Sequence, residues 1–228
     1  MCVCILMDLR LQNNTVFQIV GPSGCGKTMF VTQLLTTDGI FQQPIKHIYW
    51  LMGVDDDGES GDTAKQLKHL KAVTFLKGFE KGWMDKPKQG DVLVIDDLFM
   101  EANKEKGFNN LFTKVARHRG ITVIFITQNM FQQGGGGSTS HRTRNLNVHY
   151  LVLFRNPRDS TVIQHVARQA FPTDKHFLID AYHDATKDTP HGYIFIDFTQ
   201  TCIDQLRIRT NIFQPPIIIY KQQQQQQE

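Results

Sequence analysis

Short apolar runs, each bounded by glycine, proline or charge, recur along this chain with helix-spaced stretches between them. Val16, Phe17, Ile19 and Val20 form a β-branched and aromatic run over residues 15–20 that predicts a buried strand. After a glycine-rich turn, Phe30, Val31, Leu34 and Leu35 recur at the spacing of one helix face. Residues 46–52 predict a second strand and 73–76 a short strand or edge. Val92, Leu93, Val94 and Ile95 form the continuous run expected of a central parallel strand covered on both faces. Leu111, Phe112 and Val115 predict a helix over 109–118, which ends in Arg117-His118-Arg119-Gly120; cations before a glycine suit a helix C-terminus. Strands follow at 121–126 and 148–154. Ser160 is the expected N-cap of a helix carrying Val162, Ile163, Val166 and Ala170, stopped by Pro172. A helical piece at 177–182 and a closing hairpin of 193–198 with 206–209 complete the series. Strands alternating with helices predict an α/β fold, a central mostly parallel sheet flanked by helices. One domain is expected over residues 1–213. Residues 214–228, ending in the glutamine run 222–227 and Glu228, read as a low-complexity tail.

The turn between the first strand and the first helix carries the chemistry. Gly21-Pro22-Ser23-Gly24-Cys25-Gly26-Lys27-Thr28 fits the phosphate-binding pattern G-x-x-x-x-G-K-[ST] at every fixed position. Its glycines let the backbone curl so that consecutive N–H groups face an anion, while Lys27 reaches the β- and γ-phosphates and the Thr28 hydroxyl can ligate Mg²⁺. Strand, glycine loop and helix in this order aim a helix N-terminus at phosphate, so ATP with Mg²⁺ is the expected ligand of a P-loop NTPase. Asp96 and Asp97 close the 91–97 strand at its C-terminal end, where open α/β sheets bind ligands. In a Walker B strand Asp96 would hold Mg²⁺ and Asp97 would polarise the attacking water; the alternative is that both simply cap the next segment. Gln128, at the end of the strand expected between the two nucleotide-binding strands, is the candidate γ-phosphate sensor.

Composition narrows the classes. At 228 residues, 40% hydrophobic and 21% charged, the chain is an ordinary globular protein, and a net charge of +3 permits a nucleic-acid partner without requiring one. Cys2, Cys4, Cys25 and Cys202 show no C-x-x-C spacing, which suits reduced thiols in an intracellular protein rather than zinc or disulfides. The apolar start is interrupted by Asp8 and Arg10 and lacks a basic lead-in, so no signal peptide is expected. No apolar run approaches the roughly 18 residues of a membrane span, and no membrane partner is expected. The acidic cluster 55–62 lacks calcium-hand spacing and reads as a solvated loop. A GTPase would need Asn-Lys-x-Asp; the nearest string, Asn103-Lys104-Glu105-Lys106, has no acid in the right place. Protein kinases use a different glycine loop. The branch of P-loop ATPases with an extra central strand, a second acid beside the Walker B aspartate and a polar sensor (the RecA/ASCE type) remains.

Four segments, GPSGCGKT, VLVIDDLF, RHRGITVIFITQN and HYLVLFRNPRD, together resemble the viral genome-packaging ATPases of the FtsK–HerA superfamily. The resemblance is to those of Polinton/Maverick elements and adintoviruses, more distantly to the poxvirus packaging ATPase, and it covers roughly residues 14–213. The first two segments are generic to P-loop ATPases; the Gln128-Asn129 strand end and the Arg155–Asp159 corner point to this family. The resemblance implies an ATP-driven motor that assembles as a homo-oligomeric ring, a pentamer or hexamer, and pumps double-stranded DNA into a preformed viral capsid. It places the chain inside the host cell, in nucleus or cytoplasm, and leaves virion association open. It also implies Lys27 and Thr28 on phosphate and Mg²⁺, Asp96 on the metal, Asp97 as base and Gln128 as sensor. Arg142-Thr143 ahead of Leu146-Asn147 matches the family pattern and makes Arg142 the expected trans-acting arginine finger, with Arg155 and Arg158 behind it. Two features depart from it: Asp97 stands where many relatives carry Glu, and a glycine-rich loop, 134–137, precedes Arg142. The competing readings are another DNA translocase or helicase of the same superfamily, a small-molecule kinase, and a non-catalytic nucleotide-dependent scaffold. Gln128 and the Asp96-Asp97 pair argue against the kinase.

Overall fold

The structure, a computed structural model, describes residues 8–53, 67, 72–79, 81–98, 116–128, 130 and 147–222. The strands are β1 (Val16–Val20), β2 (Ile48–Met52), β3 (Val73–Lys77), β4 (Val92–Asp96), β5 (Thr122–Thr127), β6 (Tyr150–Phe154), β7 (Tyr193–Asp197), β8 (Ile208–Thr210) and β9 (Ile218–Tyr220). They form one sheet in the order β3-β2-β4-β5-β1-β6-β7-β8-β9. From β3 to β6 every pairing is parallel; from β6 onward every pairing is antiparallel. The described helices are α1 (Lys27–Thr36), α2 (Ala116–Arg119), α3 (Thr161–Ala170) and α4 (Lys175–Thr186).

Successive side chains of a strand point to opposite faces, so a run apolar throughout must be covered twice. Phe17, Ile19, Val94, Ile124 and Val152 enter one core with Phe30, Val31, Leu34 and Leu35 of α1. Val16, Val20, Leu93, Ile95, Val123, Phe125, Leu151 and Leu153 enter the other with Val162, Ile163 and Val166 of α3 and Leu178 and Tyr182 of α4. This double cover buries the central strands and leaves their C-terminal ends as the open edge of the parallel block.

Three details differ from the pattern-based expectation. Ser160 stands at the N-cap of α3 as expected, but its side chain makes no capping bond; the Asp159 carboxylate instead accepts from the Thr161 N–H at 2.8 Å. Leu206 ends a 3₁₀ turn, Asp204–Leu206, before the short β8. The apolar residues Ile218 and Ile219 with Tyr220, inside the span read as tail, pair with β8 as β9, because an apolar triplet beside an open sheet edge satisfies its backbone there. Helix α2 ends on Gly120 at φ +66, the left-handed geometry that cations-then-glycine implied.

Candidate nucleotide-binding site

The loop 21–26 leaves β1 at the open edge. Gly21 donates its N–H to the Thr127 carbonyl at 3.3 Å, tying the loop's first residue to the end of β5. A Cβ on Gly21 would lie 2.6 Å from Phe154 Cβ and 2.7 Å from Cys25 Sγ, so only glycine fits between β6 and the loop's own crown. Gly24 and Gly26 sit at φ +77 and +102, where side chains are strained. The Cys25 thiol, buried beneath the loop, is pushed above its ordinary value by desolvation, with the nearby Lys27 charge pulling the other way. A thiol held neutral in this way is packing rather than a nucleophile.

Helix α1 begins without a cap: Gly26 has no side chain to bond its first N–H groups, and its first turn holds no acid. Lys27 is 9% exposed, and its ammonium donates to the carbonyls of Gly21 at 2.8 Å and Pro22 at 2.9 Å. An ammonium has three N–H donors, so these two bonds leave a third direction open. Among the described residues no ion pair includes Lys27. A buried cation held only by neutral carbonyls, next to uncapped helix N–H groups, is electrostatically incomplete, and a phosphate completes it.

The strand order decides what faces that phosphate. β5 lies between β1 and β4, and its end carries Gln128. Gln128 Nε2 donates to Asp97 Oδ2 at 2.6 Å. Asp97 adopts φ +51, a left-handed turn that aspartate tolerates better than most residues, and its N–H is held by the Ile126 carbonyl at 3.1 Å. Asp96, half-buried, pairs in register with Ile126, and its Oδ2 accepts from Trp50 Nε1 at 3.3 Å. The Thr28 hydroxyl at the start of α1 and the Asp96 carboxylate are hard oxygen donors of the kind Mg²⁺ takes, and they sit beside an anion site, so the residues fit that metal.

The Arg155–Asp159 corner meets the same edge. Gly21, Gln128, Asn156 and Asp159 share a cleft of ≈ 70 Å³, room for water but not for a nucleotide. The corner is pinned by Tyr182, whose hydroxyl donates to the Phe154 carbonyl and accepts the Asn156 N–H, both at 3.0 Å. Desolvation pushes the pKa of that hydroxyl above its ordinary value, keeping it protonated and able to donate. Arg155 and Arg158 are exposed.

The structure therefore brings together Gly21, Pro22, Ser23, Gly24, Cys25, Gly26, Lys27 and Thr28 with the strand ends carrying Asp96, Asp97 and Gln128. Arg142, Asn129 and the 134–137 glycines lie outside the described residues. Trp50, Tyr182 and His191 went unread in the sequence. His191 Nδ1 lies 3.0 Å from the Cys25 carbonyl. A lone Trp, Tyr or His carries no local pattern; a Pro-His-Gly turn just before a strand was the one available signal for His191.

A glycine phosphate loop between β1 and α1, with an extra strand between the loop strand and the acid-bearing strand, defines the α/β P-loop NTPase fold. No family model matches the chain, and no curated protein matches it in sequence. Among solved structures it is similar to the genome packaging NTPase B204 of Sulfolobus turreted icosahedral virus 2, determined in complex with ATP-gammaS. That likeness has a TM-score of 0.51 at 13% identity and covers 92% of this chain and 98% of that one. A KaiC-like protein of Pyrococcus horikoshii OT3 aligns at a TM-score of 0.39 and 15% identity, over 62% of this chain and 71% of the other. At these identities the first likeness is one of fold. Among the described residues no helix is long and apolar enough to cross a membrane.

Proposed function

We propose that this chain hydrolyses ATP to drive double-stranded DNA, packaging a viral genome into a preformed capsid as a homo-oligomeric ring inside the host cell. The observation that carries the catalytic half is the Gln128–Asp97 hydrogen bond across adjoining strand ends, one strand away from a phosphate loop whose buried lysine has no carboxylate partner among the described residues. The packaging half is supported by the four resembling segments and by a fold shared with a packaging NTPase over nearly the whole of both chains.

In this reading the loop N–H groups and the open donor of Lys27 bind the β- and γ-phosphates. Mg²⁺, held by Thr28 and Asp96, would neutralise charge between those phosphates when bound. Trp50 helps to hold the rotamer of Asp96 by donating to Oδ2. Asp97 takes a proton from water as the water oxygen bonds to the γ-phosphorus and the bond to the bridging oxygen of ADP breaks. Gln128, bonded to that carboxylate, ties its orientation to the γ-phosphate. Arg142 from an adjacent subunit supplies the cation that stabilises the charge developing on the transferred group.

The experiment is steady-state ATP hydrolysis by the full chain with and without double-stranded DNA, with Lys27→Ala as control. A rate that rises with DNA, vanishes in the variant and loses its DNA stimulation with added salt supports a DNA motor, since phosphate contacts release counterions. Hydrolysis indifferent to DNA would sink the translocation half and leave the nucleotide site standing. For the capsid half, the readout is DNase-protected DNA after mixing motor, ATP and empty shells.

A further inference from the structure

We infer that His191, on the loop between α4 and β7, is a positioning residue that aims the Gly26 N–H of the phosphate loop; this rests on the nucleotide reading above. His191 Nδ1 stands 3.0 Å from the Cys25 carbonyl oxygen. A carbonyl only accepts, so Nδ1 donates. The Cys25–Gly26 peptide is trans, since Pro215–Pro216 supplies the cis bond among the described residues. In a trans peptide the C=O and the following N–H point in opposite directions. Holding the Cys25 oxygen on His191 therefore turns the Gly26 N–H away from the imidazole, toward the inside of the loop where its anion sits.

This peptide needs such a hold. Gly26 is at φ +102, with no side chain to restrain it, and glycine rotates through this region freely. The ring also occupies the space beside it: a Cβ on Gly26 would lie 3.3 Å from His191 Nδ1. The Gly21 and Pro22 carbonyls of the loop are held from within by Lys27, whereas the Cys25 carbonyl is fastened from another element.

His191 is itself firmly placed. The next residue, Gly192, fits so closely over the end of α4 that a Cβ would lie 2.7 Å from Thr186 Cα and 2.8 Å from the Ala185 oxygen. Its N–H bonds the Thr189 carbonyl at 3.2 Å and its carbonyl takes the Arg155 N–H at 2.9 Å. The imidazole is thus the tip of a braced turn that also anchors the Arg155–Asp159 corner. The loop that would grip phosphate and the corner that flanks Gln128 share one support.

The test exploits the geometry of side-chain amides. Asn carries its amide nitrogen the same number of bonds from Cα as Nδ1, whereas Gln carries it one bond further. Equilibrium titration of ATP into the full chain should show His191→Ala weakened about tenfold, the scale of one misaligned hydrogen bond to a charged group. Asn should recover most of that loss and Gln should not. In steady state KM should rise with kcat within about twofold, and the ligand-free melting temperature should hold, because the ring is exposed. Unchanged affinity in His191→Ala, or equal behaviour of the Asn and Gln variants, would overturn the inference while the nucleotide reading stands. A wild-type chain that binds no ATP would overturn both.

Discussion

Lys27 and Arg209 are both buried, 9% and 3% exposed, and the fold treats them in opposite ways. Arg209 on β8 is closed by a carboxylate: its Nη2 lies 2.6 Å from Asp197 Oδ2, and Asp197 Oδ1 is satisfied by the N–H and hydroxyl of Thr199 at 3.0 and 2.6 Å. Its guanidinium also stands 5.1 Å from the centre of the Phe195 ring. Charge and counter-charge cancel inside the protein, although the buried Nε of Arg209 has no hydrogen-bond partner among the described residues. Among the described residues Lys27 on α1 meets only neutral carbonyls, and no carboxylate there cancels its charge at the open edge of the parallel strands. The antiparallel flank has spent its cation on folding, while the parallel block keeps one in reserve. A buried cation marks a site when the protein withholds its counter-ion.

The sharpest way to break this contrast is to remove the counter-ion that Arg209 has. Asp197→Ala leaves a buried, unpaired guanidinium and should cost about 3–5 kcal/mol. The melting temperature should then drop on the order of 10 °C. A shift of a degree or less would mean that the pair is not structural. Next comes Lys27→Ala, for which ATP hydrolysis should fall by about 10²–10³-fold, the loss expected when a donor to developing charge is deleted. The melting temperature should move far less than in Asp197→Ala. Saturating ATP with Mg²⁺ should raise the wild-type melting temperature by ligand linkage, with the gain absent in the variant and reduced by a chelator. Equal stabilisation of both proteins would put the nucleotide elsewhere.

Gln128→Ala sharpens the comparison from the side of the acids. Without the amide on Asp97, hydrolysis should fall by about 10–100-fold while the Kd for ATP stays within about twofold, because Gln128 acts on the water side of the phosphate. A loss of affinity equal to the loss of rate would make it a ground-state contact. The smallest effect lies at Tyr193 on β7, whose ring packs 4.8 Å from Phe30 of α1 and so joins the two regions. Burial pushes its hydroxyl up to about 12 from an ordinary 10.0, so the folded chain keeps a proton that the unfolded chain has released. That contribution is complete below pH 10 and is lost as pH climbs toward 12, at about 1.4 kcal/mol per pH unit. Tyr193→Phe should flatten the fall in melting temperature across that window, and identical slopes would assign the titration to another group.

Much of the nucleotide site could be read from the chain because its parts are local. The phosphate loop is eight adjacent residues, and its helix and strand flank it directly. Asp96 and Asp97 end a run whose apolar continuity already required a central strand. The place of Gln128 needed a further step, that β5 lies between β1 and β4, and the sheet order agrees with it. The supports were another matter. Trp50 meets Asp96 across 46 residues of chain and His191 meets Cys25 across 166. Single aromatic and imidazole side chains at such separations leave no spacing to detect. The Asp197–Arg209 pair hid for the same reason, inside a hairpin whose alternating pattern concerned burial and not charge.

By itself the sequence determined the alternation of strand and helix, the anion-binding loop and the acids at the strand end, since backbone conformation and periodic burial depend on near neighbours. Only the tertiary structure decided which buried cation is cancelled and which waits, which residues brace the loop, and that Ile218–Tyr220 extends the sheet. Electrostatic pairing and side-chain support act through space, and packing alone determines which distant residues become neighbours there.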